Sequence, residues 1–232
     1  VLNEDGSFRE MPVLADWYDV LQGSADTKHL AVVLARYVTG SASAMGSRNE
    51  IDLDNKYIVI DTSGMPDDLL LPGIFWATDI ANDLISGAGG QLSALISDEL
   101  WSLVGANSNP LAAGYIQEMV KTIRGLGGIA ITSTQGMQDL FSLDNGKYGK
   151  GILDSSRIKI VMQMEEQEAR LIQNVLNLSE EEVRQITRFR RGEGLLCIGY
   201  NHVPIAFYAT QKEYDAITTS PTDLLKRKER EP

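Results

Sequence analysis

The chain has 232 residues, which is enough for one large domain or for one domain with a small appendage. Its hydrophobic fraction of 43% is ordinary for a globular protein, and its net charge of −11 argues against a broad nucleic-acid-binding surface while leaving room for a local basic loop. No apolar stretch approaches the roughly 18 residues of a membrane span, and no signal-peptide pattern is present.

Cysteine and histidine usage gives no sign of a disulfide or a zinc site. The single cysteine, Cys197, lies in an apolar run and is predicted to be a core residue of a protein from a reducing compartment. The two histidines, His29 and His202, have no Cys or His partners at metal-ligand spacing. The chain begins with Val1 rather than Met, which indicates a fragment or a processed product.

The beginning of the chain predicts helices and no strand. One amphipathic helix precedes a second, which Asp26 or Thr27 caps and Gly40 ends. A loop of small residues is predicted at 41–50. We therefore assign residues 1–50 to part of an all-α subdomain.

After residue 50, apolar segments alternate with amphipathic ones, which predicts an α/β fold with a mostly parallel sheet. The predicted strands are 57–60, 92–96, 129–132 and Ile158–Met162. The predicted helices are 66–85, 109–124, 137–143, 165–176 and a short helix that starts at a Ser179–Glu182 capping box. A Gly-Lys-rich loop is predicted after the third of these helices, and the whole α/β core is assigned to residues 51–212.

The end of the chain predicts a β-hairpin and a tail. Strands at 194–200 and 205–210 flank a predicted turn at 201–204. Residues 213–232 form a polar tail, whose charged last part, 224–232, is predicted to be disordered.

Two adjacent carboxylates, Asp98 and Glu99, follow the predicted strand 92–96, which we expect to be buried. In open α/β sheets, ligands bind at the carboxyl ends of the strands. At such a place one carboxylate can hold a hydrated Mg²⁺ and the other can take a proton from water. The alternative is an exposed acidic pair that opens a helix and is favoured by the helix dipole.

Two further side chains match a phosphoryl-transfer site, which needs a metal-holding acid, a base, a γ-phosphate sensor and a cation. Gln135 follows the strand 129–132 and is a residue type that can act as the γ-phosphate sensor. Arg124 ends a helix and is a residue type that can supply the cation. Each also has a purely structural interpretation. Arg124 can neutralise its helix C-terminus, and Gln135 can cap the following helix.

Three segments share their residues and order with a known family. They are Leu-Ile-Ser-Asp-Glu-Leu-Trp at 95–101, Lys-Thr-Ile-Arg-Gly-Leu-Gly-Gly-Ile-Ala-Ile-Thr-Ser-Thr-Gln at 121–135 and Arg-Arg-Gly-Glu-Gly-Leu-Leu at 190–196. The first resembles the Walker B segment of the large conjugative-transfer ATPases of type IV secretion systems, which are relatives of the FtsK-like DNA translocases. The other two resemble that family's Arg-strand-Thr-Gln motif and its last motif, and the resemblance covers residues 11–208.

The resemblance implies a RecA-like P-loop NTPase core that uses ATP and Mg²⁺. It implies that Asp98 binds Mg²⁺ through water, that Glu99 activates the attacking water and that Gln135 senses the γ-phosphate. Arg124 would reach the nucleotide of a neighbouring subunit. Arg190 and Arg191 are the weaker candidates for contact with the nucleotide.

One element of that family is absent from the sequence, the phosphate-binding (Walker A) loop Gly-x-x-x-x-Gly-Lys-Ser/Thr. The glycine-lysine pairs that end at Lys147 and Lys150 are not followed by Ser or Thr. The family's loop would lie before Val1. In RecA-like order its strand lies between strands 129–132 and Ile158–Met162, so we expect a gap or a borrowed strand there.

The leading hypothesis is therefore an ATPase motor region of a conjugative DNA or protein transfer system, which acts as a homo-hexamer. The resemblance implies other secretion components and DNA as partners, and a cytoplasmic position at the inner face of the membrane. The main alternative is an interaction module that docks on the secretion machinery without nucleotide. A third hypothesis is an unrelated Mg²⁺-dependent hydrolase that uses Asp98 and Glu99.

Overall fold

The computed structural model describes residues 11–228 except 41, 48–52, 54, 63, 90, 106 and 107. The chain divides into two compact units, Val1–Ser93 and Ala94–Pro232. The domain boundaries at residues 50 and 212 stay predictions. No helix among the described residues combines the length and apolarity needed to cross a membrane.

Up to residue 92, the described part of the first unit contains helices and irregular segments but no strand. Its helices are α1 (Leu14–Gln22), α2 (Lys28–Val38), the single turn α3 (Ser43–Gly46) and α4 (Asp67–Gly87). The two amphipathic helices are confirmed, and Thr27 is the N-cap residue of α2. Its hydroxyl makes no capping bond and donates back to the Leu21 carbonyl (2.9 Å). The short helix α3 lies where a loop was predicted.

The predicted strand at 57–60 is wrong for this structure. These residues are not assigned to any strand, and no described strand pairs with them. Tyr57 and Val59 are 78% and 70% exposed. An apolar run forms a strand only when a neighbour satisfies its backbone groups, and the described residues supply none.

The second unit contains two sheets. β1 (Ser93–Ser97) pairs with β2 (Gly128–Thr132), and a separate sheet has the antiparallel order β3 (Ile158–Met162), β4 (Glu193–Ile198) and β5 (Asn201–Ala206). The α/β class and the parallel β1–β2 pair are confirmed. Among the described residues nothing joins β2 to β3, so the predicted gap is present.

Helices surround these strands. They are α5 (Trp101–Val104), α6 (Pro110–Thr122), α7 (Met137–Leu140), α8 (Lys147–Ser155), α9 (Glu166–Leu176), α10 (Glu180–Ile186), α11 (Gln211–Ile217) and α12 (Pro221–Lys228). The Ser179–Glu182 capping box at the start of α10 is confirmed, with reciprocal bonds between side chains and backbone. Cys197 is buried, as predicted, and burial raises the pKa of its thiol.

One predicted loop and the described part of the tail predicted to be disordered are helical instead. The Gly-Lys-rich segment forms α8, because Tyr148 and Ile152 lie one turn apart and are both buried. In the tail, Tyr214 of α11 donates its hydroxyl to Asp223 of α12 (3.0 Å), and helix α12 continues to Lys228. Residues 229–232 of the predicted disordered segment lie outside the described residues.

Two details of the strands also differ from prediction. The hairpin turn is Gly199–Tyr200, with Gly199 at φ +61°, so the predicted turn 201–204 belongs to β5. Pro204 is tolerated there because β5 is an edge strand. The first predicted strand of the site, β1, is not buried throughout: Ile96 is 67% exposed, because burial alternates along the strand and one face is open.

Candidate active site at the end of strand β1

Backbone hydrogen bonds continue from the parallel β1–β2 pair into the residues that follow both strands. The Ser133 N–H donates to the Ser97 carbonyl (3.0 Å), and the Ser133 carbonyl accepts from the Leu100 N–H (2.9 Å). The first residue after β2 thus bridges the last residue of β1 and a residue that follows β1, which is the parallel pattern. The carboxyl ends of both strands therefore lie side by side, and the side chains of the residues that follow them are in contact.

Asp98 is exposed and is held on one side only. Its Oδ1 accepts from the Glu99 N–H (3.0 Å) and from the Ser133 hydroxyl. Among the described residues no donor contacts its Oδ2. Asp98 therefore presents one carboxylate oxygen, Oδ2, to solvent, and the bonds to Oδ1 fix its orientation.

Glu99 has an unusual backbone and accepts one side-chain hydrogen bond on each carboxylate oxygen. Its φ of +51° lies in the left-handed region that L-residues avoid. Its Oε1 accepts from the Gln135 amide (2.6 Å) and its Oε2 from the Trp101 indole N–H (2.6 Å). The Ser102 hydroxyl donates to its carbonyl (2.8 Å). Backbone strain of this kind persists only where the surroundings determine the conformation, and it occurs often at functional sites.

The structure thus brings together three of the predicted site residues, namely Asp98, Glu99 and Gln135. Sequence reasoning missed Ser133 and Trp101 as members of the cluster. Ser133 had a usable signal, because it is the first residue after β2 and Gln135 follows it two positions later. Trp101 had a weaker one, because it lies within the same motif as Glu99.

Arg124 is not part of this cluster. It lies in the 3₁₀ turn Ile123–Leu126 that precedes β2, whereas Gln135 follows β2. The five-residue strand between them is about 16 Å long at roughly 3.3 Å per residue. Arg124 is exposed, and no described residue forms an ion pair with it.

Arg190 and Arg191 lie at the start of the other sheet. The Arg190 N–H donates to Glu193 Oε2 (2.8 Å), and the Glu193 N–H returns a bond to the Arg190 carbonyl (2.9 Å). Gly192, at φ +86°, closes this turn before β4. Both arginine side chains are exposed, and no described residue connects them to Glu99.

The donor set fits a hydrated Mg²⁺ and does not fit a metal cage. No group of three or more His, Cys, Asp or Glu among the described residues is placed to hold a metal ion. Mg²⁺ in phosphoryl-transfer sites is bound by one or two carboxylates, phosphates and water, so Asp98 suffices for the protein's share. Lys147 and Lys150 lie in helix α8 and do not form a phosphate-binding loop.

Comparison with known proteins decides the family. Residues 15–225 match the TraG P-loop domain. The chain belongs to the TraG P-loop domain family. The resemblance inferred from the three sequence motifs is thereby confirmed.

One solved structure agrees with this assignment at the level of the fold. VirB4 of Thermoanaerobacter pseudethanolicus superimposes with a TM-score of 0.77 at 24% identity, over 87% of this chain and 56% of that chain. The chain thus spans 56% of the length of this relative. The genome packaging NTPase B204 of Sulfolobus turreted icosahedral virus 2, in complex with ATP-gammaS, gives 0.49 at 18% identity over 70% and 74%. No curated protein matches.

The backbone strain in this TraG P-loop domain can be measured directly. We expect Glu99→Gly to be more stable than Glu99→Ala by about 1–2 kcal/mol, because glycine adopts positive φ without the penalty of a Cβ. Both variants lose the same carboxylate, so their difference isolates the backbone. Urea unfolding of the two variants gives the free energies.

Glu118 provides the matched control, since it is exposed in the middle of α6. There the order reverses, and Glu118→Ala is expected to be more stable than Glu118→Gly by about 1 kcal/mol. An alanine at position 99 as stable as a glycine would show that residue 99 carries no strain.

Proposed function

We propose that this chain is the catalytic part of an ATP-hydrolysing motor that drives conjugative or type IV secretion transfer. The observation that supports the proposal is the cluster at the end of β1, in which Asp98 and Glu99 meet Ser133 and Gln135. Membership of the TraG P-loop domain family supports the nucleotide as ligand.

In this proposal Asp98 orients the water shell of Mg²⁺, which neutralises phosphate charge when it is bound. The Ser133 hydroxyl and the Glu99 N–H hold Oδ1, so Oδ2 is the oxygen that faces a metal-bound water. The exposure of Asp98 leaves room for that shell.

Glu99 is the general base that takes a proton from the attacking water. It is half-buried, and the Gln135 amide occupies its Oε1 in this structure. A carboxylate oxygen has two lone pairs, so Oε1 keeps one acceptor site for water while Gln135 is bound and gains the second when the amide turns away. A γ-phosphate is the group that would draw the amide away, which makes Gln135 a sensor coupled to the base.

Arg124 acts in trans in this proposal. About 16 Å of strand separates it from the carboxyl end of β2, so it lies at the opposite end of the strand from the Glu99 cluster. Its exposed guanidinium suits the phosphate oxygens of a neighbouring subunit's nucleotide. A contact between each arginine and the nucleotide of the next subunit supports a ring-shaped assembly, and we propose that this ring is a hexamer. Arg190 and Arg191 are secondary candidates for nucleotide contact.

The proposed partners and cellular position follow from the family resemblance. We propose other secretion components and DNA as partners, and a cytoplasmic position peripheral to the inner face of the membrane. The proposal requires a phosphate-binding loop, which these 232 residues do not contain. The second candidate function is an interaction module that binds no nucleotide, and the lack of that loop among these 232 residues favours it.

Replacing the base should separate hydrolysis from binding. In a protein that includes the phosphate-binding loop, Glu99→Gln is expected to lower ATP turnover by about 10²–10⁴-fold while ATP binding stays nearly unchanged. Steady-state turnover and equilibrium binding measure the two effects. Glu118→Gln is the control and should turn over normally, and normal turnover by Glu99→Gln would refute the assignment of the base.

The trans role of Arg124 is tested by mixing two inactive proteins. Arg124→Ala subunits are combined with Glu99→Gln subunits, and partial recovery of turnover is expected because some interfaces then join an intact Glu99 to an intact Arg124. An arginine supplied in trans contributes about 10³–10⁵ to turnover in nucleotide hydrolases. A mere helix-dipole partner would contribute only about 0.3–1 kcal/mol of stability.

The mixing experiment has a clear opposite result. Co-assembled rings without any recovery would contradict the trans role. So would an Arg124→Ala protein that hydrolyses ATP normally and only melts at a lower temperature.

A further inference from the structure

We infer that Trp101 is a positioning residue, whose indole N–H holds Glu99 Oε2 so that Oε1 is the oxygen that receives the proton. The inference rests on the proposed function of Glu99 as the base. It assigns different roles to the two donors that bind the carboxylate. Trp101 fixes the orientation of the carboxylate through Oε2, and Gln135 binds Oε1 until a γ-phosphate draws the amide away.

The two hydrogen bonds are equally short and lie on opposite oxygens. The Trp101 indole N–H is 2.6 Å from Oε2, and the Gln135 amide is 2.6 Å from Oε1. A glutamate carboxylate rotates in a broad, nearly two-fold torsional well, so the side chain alone does not fix its plane. One donor that stays in place is enough to fix it.

Trp101 is attached to the fold in a way that Gln135 is not. Its neighbour Leu100 is 3% exposed and donates its N–H to the Ser133 carbonyl. The Trp101 carbonyl accepts from the Gly105 N–H at 2.7 Å. A Cβ at Gly105 would lie 2.5 Å from that carbonyl oxygen, so the chain is tightly packed there.

Gln135 has the opposite surroundings. It is exposed and lies between β2 and helix α7. Its side chain can therefore exchange the carboxylate for a phosphate oxygen without disturbing the core. When it does so, Oε1 loses the hydrogen bond from the amide. The indole N–H still binds Oε2, so the orientation of Oε1 is unchanged.

The competing account is that the indole N–H takes the nearest acceptor, as half-buried tryptophans usually do. The two accounts differ in their consequences. A satisfied donor contributes only to stability, whereas a positioning donor changes the rate of hydrolysis and leaves nucleotide affinity unchanged.

Kinetics of Trp101→Phe, which keeps a ring and removes the N–H, distinguish the two. In a protein with the phosphate-binding loop we expect kcat to fall about 10–100-fold with KM for ATP within about twofold, because a misaimed catalytic group costs up to about 10² in rate. Trp76→Phe, which removes an indole N–H in helix α4, is the matched control and should keep kcat. In a Glu99→Gln background, Trp101→Phe should cause no further loss.

The outcomes separate this inference from the proposed function. Normal turnover by Glu99→Gln would refute the base itself. An inactive Glu99→Gln protein together with a fully active Trp101→Phe protein would refute only the positioning role. A fall in melting temperature with unchanged kcat would do the same.

Fluorescence of this chain tests the contact without any nucleotide. The chain has three tryptophans, so Trp17→Phe with Trp76→Phe leaves Trp101 as the single tryptophan, which is excited selectively at wavelengths that tyrosine does not absorb. In that background Glu99→Gln should shift the Trp101 emission, because the charged acceptor of the indole N–H is lost, and Glu118→Gln should not. An emission spectrum that is the same with Glu99 and with glutamine would overturn the inference.

Discussion

The parallel pairing of β1 with β2 is the constraint on which the site depends. Two backbone hydrogen bonds of Ser133, to Ser97 and to Leu100, set the register at the end of the pair. A slip of one residue would turn the side chains of Ser133 and Gln135 to the other face of the sheet and would break both of their bonds to the carboxylates. The chemistry of the site therefore depends on a few main-chain bonds at the edge of a small sheet.

A second constraint is the left-handed backbone of Glu99. An L-residue in that conformation costs about 1–2 kcal/mol, and here the surrounding bonds to its carbonyl and carboxylate offset the cost. The bend after β1 places the side chain of residue 99 between the indole of Trp101 and the amide of Gln135. Strain at this position and the orientation of the carboxylate are therefore two aspects of one local structure.

Sequence reasoning located the strand ends and the acidic pair well, because apolar runs followed by polar residues are local signals. It placed Gln135 beside Glu99 because the carboxyl ends of adjacent parallel strands meet. It could not find the role of Trp101, which depends on a positive φ two residues earlier that no residue type announces. It failed at 57–60 and at the hairpin turn because pairing partners and turn positions are set by tertiary contacts.

The central claim is that Asp98 and Glu99 form the metal-facing and water-facing part of an ATP site. The most direct measurement is the equilibrium binding of a fluorescent ATP analogue, with and without Mg²⁺, to a protein that includes the phosphate-binding loop. The account predicts that Mg²⁺ strengthens binding to the unaltered protein and that Asp98→Asn loses most of this gain. An Asp98→Asn protein with the full Mg²⁺ effect, or a protein that binds no nucleotide at all, would contradict the account.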